Sequence, residues 1–384
     1  MSSQLNVLIV EDSKLDAKVL EGLLKSGGYE VAARRVETAA EMNDALETGQ
    51  FDVVLADYNL PDFDAPEALR LLKESGRDLP FIVISGGIGE ETAVRIMKDG
   101  AHDYLMKGNL ARLVPAVERE VREARDRAAH RDAEASLRAA AEQMRIAHDI
   151  QHRLFPAESP HLPGYELAGV SHPAEETGGD YFDYIRMQDG SLALVVGDVT
   201  GHGIGPALLM AETRAYLRIL ALHLEDIGDI LTRANRVLAG DIDEERYVTL
   251  IMVQLRPDTG ELRYASAGHA ACPWLDARGE VKRELRRTGI PLGMRPDAHY
   301  EASEPMQLEP GDLLALMTDG VEESLSPDQE LFGGERVLDL LRDNQGRPAK
   351  ELVDELHRAA RVHIAGHDQP DDYTTIILKA LEKD

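Results

Sequence analysis

The chain has 384 residues, enough for two or three domains with a core each, and carries a formal net charge of −28 with a pI near 4.8. That charge repels nucleic acid and anionic membrane surfaces, so neither is expected as a partner and proteins and metal ions are. The single cysteine, Cys272, excludes an internal disulfide framework; no apolar run is long enough for a membrane span, the start lacks a signal peptide's basic and apolar regions, and a cytoplasmic protein is expected.

Residues 1–122 alternate short apolar runs with amphipathic segments, the pattern of a doubly wound parallel α/β sheet. The spacing predicts strands at 6–10, 53–56, 81–84 and 104–106 and a helix over 13–25. These strands lead into Glu11 and Asp12, Asp57, Ser85 and Lys107. Open α/β sheets collect ligands beyond the carboxyl ends of their strands, so the five side chains should meet in one crevice. The acids there suit Mg²⁺, and Ser85 and Lys107 suit phosphoryl oxygens. Each alone would be an ordinary turn residue; as a set at successive strand ends they read as a site.

From Pro115 to about Leu154 the sequence has no further Gly or Pro and is rich in Ala, Glu and Arg, which predicts one long helix. Leu113, Val117, Val121, Ala124 and Ala128, then Leu137, Met144, Ile150 and Leu154, mark an apolar stripe with alanines at several seam sites. A solvated single helix and a parallel two-stranded coiled coil both fit. A helix this long needs something to cover its stripe, so a homodimer through this linker is expected.

Four acidic motifs follow. Gly178, Gly179 and Asp180 precede an aromatic run; the buried run 192–196 leads to Asp198 and the turn Val199, Thr200, Gly201, His202, Gly203, with a helix over 207–220. The apolar strand 313–317 ends in Thr318, Asp319, Gly320, and Asp371, Asp372, Tyr373, Thr374 enter a strand at 375–378. One aspartate after a strand is commonly a turn former or helix cap. Four at strand ends are a supply of hard oxygen ligands for Mg²⁺ or Mn²⁺ without a Cys or His cage, and a hydrolytic two-metal centre fits that supply. Segments 247–255 and 260–265 read as a hairpin, His269 as a hydrogen-bonding residue beside the cleft, Glu322 as a helix cap or surface acid, and Trp274 as a core or partner-facing aromatic.

These residues carry two resemblances. The set Glu11, Asp12, Asp57, Ser85, Tyr104 and Lys107 resembles the receiver domain of two-component response regulators over residues 7–118. That implies Asp57 as phosphoacceptor for a cognate histidine kinase, and Mg²⁺ held by Glu11, Asp12, Asp57 and the Asn59 carbonyl. It also implies Ser85, Tyr104 and Lys107 as the residues that respond; Gly108 stands where the family usually has Pro. The order GGD, GDVTGHG, TDG and DDYT from about residue 159 onward resembles the PPM-type serine/threonine phosphatases of the SpoIIE and RsbU branch. By that resemblance the fold is an α/β sandwich. Two Mn²⁺ or Mg²⁺ ions are held by Asp180, Asp198, Asp319, Asp371 and the Val199 carbonyl, Asp372 stands behind them, and a water is the nucleophile. His202 is two residues farther from its aspartate than in the DGHGG of the animal enzymes, so a general acid and a local turn role both remain open.

The expected layout is a receiver domain at 1–122, a helical linker at 123–158 and a phosphatase domain at 159–384. The expected substrate is a phosphorylated protein, a STAS-type anti-sigma-factor antagonist by the resemblance. The helix end 146–156 would pass the receiver's state to Asp180 or the Asp198 turn. A different class stays open: a catalytically degenerate module that only sequesters a phosphorylated partner.

Overall fold

In a computed structural model, which describes residues 3–61, 63–87, 90–242 and 246–381, the chain forms two units, residues 1–139 and 140–384. In the first unit, β1 (Ser3–Val10), β2 (Tyr29–Val36), β3 (Val53–Asp57), β4 (Phe81–Ser85) and β5 (Asp103–Met106) form one parallel sheet in the order β2-β1-β3-β4-β5. β3 and β4 are buried along their whole length, as strands covered on both faces must be. Helices α1 (Lys14–Ser26), α2 (Ala39–Thr48), α3 (Ala65–Glu74), α4 (Glu90–Lys98) and the start of α5 (Leu113–His152) provide that cover. One core joins Leu8, Val54 and Val83 to Met42 and Leu69, and the other joins Val7, Ile9 and Leu55 to Leu20, Leu24 and Val117. Ser13 opens α1 where the sequence places it, its hydroxyl accepting the Asp16 N–H at 3.2 Å. This is the doubly wound sheet expected from the βα pattern.

α5 runs unbroken for 40 residues, as the absence of Gly and Pro requires. Leu113, Val117, Val121 and Ala124 are buried, whereas Leu137, at 72% exposure, and Ile146 and Ile150 lie open along the rest of the helix. Among the described residues no helix is long and apolar enough to cross a membrane.

The second unit contains two five-stranded antiparallel sheets. Its strands are β6 (Tyr165–His172), β7 (Tyr181–Arg186), β8 (Leu192–Val199), β9 (Val248–Arg256), β10 (Glu261–Ala267), β11 (Cys272–Leu275), β12 (Val281–Leu285), β13 (Met306–Gln307), β14 (Leu313–Met317) and β15 (Tyr373–Ala380). They are ordered β13-β10-β9-β8-β7 and β12-β11-β14-β15-β6. Phe182, Leu194, Val196 and Val253 of the first sheet pack against Trp274, Leu314, Leu316 and Ile376 of the second. Outside the first sheet lie α6 (Ile204–Ala221) and α7 (Ile227–Asp241), and outside the second α8 (Gly333–Asp343) and α9 (Ala349–His363). The α/β sandwich is the one expected, and Trp274 is a core residue whose Nε1 donates to Asp312 at 2.9 Å.

One expectation is corrected. The strand read as 192–196 continues to Val199, with Asp198 facing Thr249 and Val199 facing Val248 on β9, so Asp198 belongs to the ladder and does not follow it. Cross-strand pairing here overrides the weak strand preference of Gly197 and Asp198.

α6 is tied to β7 through Asp183, which is fully buried (0% exposed). Asp183 accepts from both arms of Arg218 at 2.6 Å and from the Tyr181 hydroxyl at 2.7 Å. Removing Arg218 takes both charge-assisted bonds from a buried carboxylate and leaves Arg214, at 3.8 Å, as its nearest cation, whereas neutralising Asp183 leaves a partly exposed Arg218 free to turn to water. Arg218→Ala is therefore expected to cost about 3 kcal/mol, and more than Asp183→Asn. Urea unfolding followed by fluorescence of Trp274, the chain's one tryptophan, measures this unit directly; equal costs for the two variants would contradict the account.

Candidate functional site

In the first unit the strand ends bring Glu11, Asp12 and Asp57 together, with one carboxylate oxygen of each within 4.8 Å of the others. Lys107, at the end of β5, bridges the acids: its Nζ donates to Asp16 at 2.6 Å, to Asp57 at 2.9 Å and to Glu11 at 3.0 Å. Burial alone would lower the lysine's pKa, but bonds to Asp16, Asp57 and Glu11 raise it overall. Burial pushes the Glu11 carboxyl up against the pull of the Ser13 N–H and Lys107. The Asn59 N–H reaches Asp57 at 3.4 Å. Ser85 is fully buried at the end of β4, its hydroxyl accepting the Gly87 N–H at 3.3 Å. Tyr104 lies on the neighbouring β5 opposite Val83, its buried hydroxyl without a partner. Thus Glu11, Asp12, Asp57 and Lys107 meet directly, while Ser85 and Tyr104 stand on the adjoining strands without a bond to them. Asp16 was not expected at this site; its place in the first turn of α1, directly after the strand end that carries Glu11 and Asp12, was the available signal.

In the second unit the four motifs meet at one rim of the sandwich. Asp180 is buried; its Oδ2 accepts the Thr318 hydroxyl at 2.8 Å and its N–H donates to Asp372 at 3.2 Å. Burial, then the charges of Asp198 and Asp372, raise its carboxyl well above the usual range. Asp198 is pushed up to about 7 by burial and then by Asp319, Asp371, Asp372 and Glu323. Asp371, at the open edge, is raised chiefly by burial, with Asp372 and Asp319 adding to it. The Val199 carbonyl closes over Gly179, where a Cβ would stand 2.4 Å from that oxygen. The carboxylate of Asp372 is occupied by backbone N–H groups, those of Ala174 at 2.8 Å and Asp180 at 3.2 Å. Its own carbonyl passes 2.1 Å from where a Cβ on Gly320 would be, which explains that glycine.

Among the described residues no lysine or arginine pairs with Asp180, Asp198, Asp319, Asp371 or Asp372. An all-oxygen set in which the carboxyls of Asp180, Asp198 and Asp371 are raised, without a lysine or arginine partner among the described residues, fits Mg²⁺ or Mn²⁺. Among the described residues only the receiver trio, and no three acids of this rim, has ligand oxygens all within 4.8 Å of one another.

Other predicted residues fall outside this set. His202 is exposed on its turn, with Nδ1 3.1 Å from Glu175. His269 is buried and doubly hydrogen-bonded. Glu322 lies in a turn, and its carbonyl accepts the N–H of Gly333, the first residue of α8, at 2.9 Å. Two contributors escaped the sequence reading. Glu323, four residues after Asp319, is raised by burial and then by Asp319 and Asp371, so it faces the rim. Gln151, near the end of α5 and 7% exposed, holds Gly178 from both sides: Nε2 donates to its carbonyl at 2.7 Å and Oε1 accepts its N–H at 3.2 Å.

The raised carboxyl of Asp198 gives a pH test. Its charged form is the one that folding penalises; the penalty is full above pH 7 and fades as pH falls toward the ordinary carboxylate range. In EDTA, Asp198→Asn is therefore expected to raise Tm at pH 8, and the gain should shrink at pH 5. An equal gain by calorimetry at both pH values would mean that charge is not what strains this rim.

A model of the family described as Stage II sporulation protein E (SpoIIE) matches residues 188–381, half of the chain, and one described as a response regulator receiver domain matches residues 7–118. Protein IcfG of Synechocystis sp. (strain ATCC 27184 / PCC 6803 / Kazusa) is 28% identical over 256 residues, 60% of this chain and 40% of IcfG. Phosphoserine phosphatase RsbU of Bacillus subtilis (strain 168) is 25% identical over 237 residues, 62% of this chain and 70% of RsbU. The chain thus spans less than half of IcfG. The solved SiaA-PP2C domain of Pseudomonas aeruginosa covers 64% of this chain and 98% of its own at a TM-score of 0.56 and 24% identity, a likeness of fold. The chain therefore belongs to the SpoIIE family, and it joins a PPM-type phosphatase domain to a response regulator receiver domain.

Proposed function

We propose that this protein is a metal-dependent protein serine/threonine phosphatase controlled by phosphorylation of Asp57 by a cognate histidine kinase. The observation that carries the reading is the set of acids on one rim that pairs with no lysine or arginine among the described residues, an arrangement that favours bound cations. Asp180, Asp198, Asp319, Asp371 and the Val199 carbonyl would hold two Mn²⁺ or Mg²⁺ ions. When bound, these ions supply the positive charge that acidifies an attacking water and neutralises the phosphoryl oxygens during in-line displacement.

The chain's own residues do the positioning. The Thr318 hydroxyl orients Asp180, Asp372 fixes the backbone on either side of Gly178 and Gly179, and Gly179 leaves room for the Val199 carbonyl. In the receiver, Glu11, Asp12, Asp57 and the Asn59 carbonyl would hold one Mg²⁺. Lys107 already lies 2.9 Å from Asp57 and would meet a phosphoryl oxygen there, with Ser85 and Tyr104 rearranging in response.

The substrate is a phosphorylated protein, taken here to be a STAS-type anti-sigma-factor antagonist. The name of the relative RsbU, a phosphoserine phosphatase, supports the phosphoserine part of this reading. Gln151 supports a route for control: any shift of α5 pulls on Gly178, two residues before Asp180. The exposed Leu137, Ile146 and Ile150 support pairing of α5 with a second copy.

Phosphate release from a phosphoserine protein in Mn²⁺ is expected to vanish in EDTA and in folded Asp180→Asn and Asp319→Ala variants. Tight binding of the phosphoprotein with no release would instead make the chain a sequestering module. Beryllofluoride on the receiver is expected to change the release rate or the Mn²⁺ requirement, and Gln151→Ala to remove that difference. Equal rates and equal Mn²⁺ requirement with and without beryllofluoride in the unaltered chain would end the coupling reading.

A further inference from the structure

The acid set is divided between the two sheets. Asp198 lies on β8 and Asp180 directly before β7 in one sheet; Asp319 follows β14 and Asp371 precedes β15 in the other. The distance between the two halves depends on what ties the sheets together at that rim. Two ties run through Asp180 itself: the Thr318 hydroxyl to its carboxylate, and its N–H to Asp372. Neither reaches the side of the rim that carries Asp198.

His269 does. It lies just after β10, is 3% exposed, and uses both ring nitrogens. Nε2 is 2.9 Å from the carbonyl of Met317, the last residue of β14, and Nδ1 is 3.3 Å from the Thr249 hydroxyl on β9. A carbonyl only accepts, so Nε2 carries the hydrogen and Nδ1 accepts from Thr249. The two partners sit next to the acids. Thr249 faces Asp198 in the β8-β9 register, and Met317 leads directly into Thr318, which holds Asp180, and Asp319. A histidine that only filled space would need neither bond; this one joins one sheet to the other at the two places from which acids project.

We propose that His269 is a positioning residue of the metal centre: a neutral strut that sets the span between Asp198 and the Thr318 and Asp319 segment, and with it the spacing at which two cations can be held. This rests on the metal reading above. The test uses the full chain and Mn²⁺ alone, titrated by calorimetry without substrate, with p-nitrophenyl phosphate hydrolysis over a series of Mn²⁺ concentrations as a second readout. If the unaltered chain binds no Mn²⁺, the metal reading itself fails. If it does bind, His269→Leu, which removes both hydrogen bonds, is expected to weaken Mn²⁺ binding at least about tenfold, with hydrolysis recovering as Mn²⁺ is raised. His269→Gln, which keeps a donor for the Met317 carbonyl, is expected to recover part of the affinity. A His269→Gln variant no better than His269→Leu would overturn the strut, because packing and not the hydrogen bond would then be what the centre requires. Should His269→Leu fail to fold by circular dichroism, Thr249→Val removes only the second bond and is expected to weaken Mn²⁺ binding in the same direction. Mn²⁺ affinity within about twofold of the unaltered chain in folded His269→Leu, or in Thr249→Val if that variant is needed, would overturn the proposal.

Discussion

Like charges held close together are the constraint around which the second unit is arranged. Asp180, Asp198, Asp319, Asp371 and Asp372 come from four separate segments; burial and the charges of their neighbours raise the carboxyls of Asp180, Asp198 and Asp371, and no lysine or arginine pairs with the five among the described residues. Asp372 is what makes the gathering possible. It spends its carboxylate on the N–H groups of Ala174 and Asp180, and so locks the loop before β7 onto the start of β15. Its backbone passes so close to Gly320 that only a residue without a side chain fits there. The two paired motifs, GGD and TDG, are thus shaped by a third, DDYT.

The receiver meets the same repulsion differently. There Lys107 supplies the counter-charge from within the chain, bonding Glu11, Asp16 and Asp57 at once. A carboxylate pocket neutralised by its own lysine can exchange one partner for another, which suits a switch that gains and loses a phosphoryl group. A rim of acids with no internal cation suits resident metal ions instead. The contrast between the two pockets is a difference of chemistry, since both are built at the ends of strands.

α5 holds the loop before Asp180 through two side chains, Gln151 and His148, whose Nδ1 lies 2.6 Å from the Glu176 carbonyl. Most of its surface there is polar or exposed, yet Gln151 is buried and holds both backbone groups of Gly178. An amide that satisfies a carbonyl and an N–H together replaces a missing strand partner at Gly178, so the backbone before Asp180 is held by the helix at that residue and by β8 at the next, where the Gly179 carbonyl accepts the Val199 N–H at 3.3 Å. Loss of that contact would leave two buried polar groups unsatisfied, which is why the helix end and the acid loop should move together.

How much was legible beforehand follows from which interactions are local. Period-2 and unbroken apolar runs marked β3, β4, β8 and β14; the absence of Gly and Pro marked α5; and the acids at strand ends marked both pockets. The residues that escaped, Asp16, Gln151 and Glu323, make their contacts through neighbours brought in by the fold, and Asp198 proved to lie inside a ladder because pairing with β9 outweighs the poor strand preference of its neighbours. The sequence by itself determined the elements and the chemical identity of the acids, because these depend on periodicity and residue type within a few positions. Only the tertiary structure decided that Asp372 serves the backbone and that His269 spans the two sheets, because a hydrogen-bond partner far along the chain is chosen by three-dimensional packing and leaves no trace in local spacing.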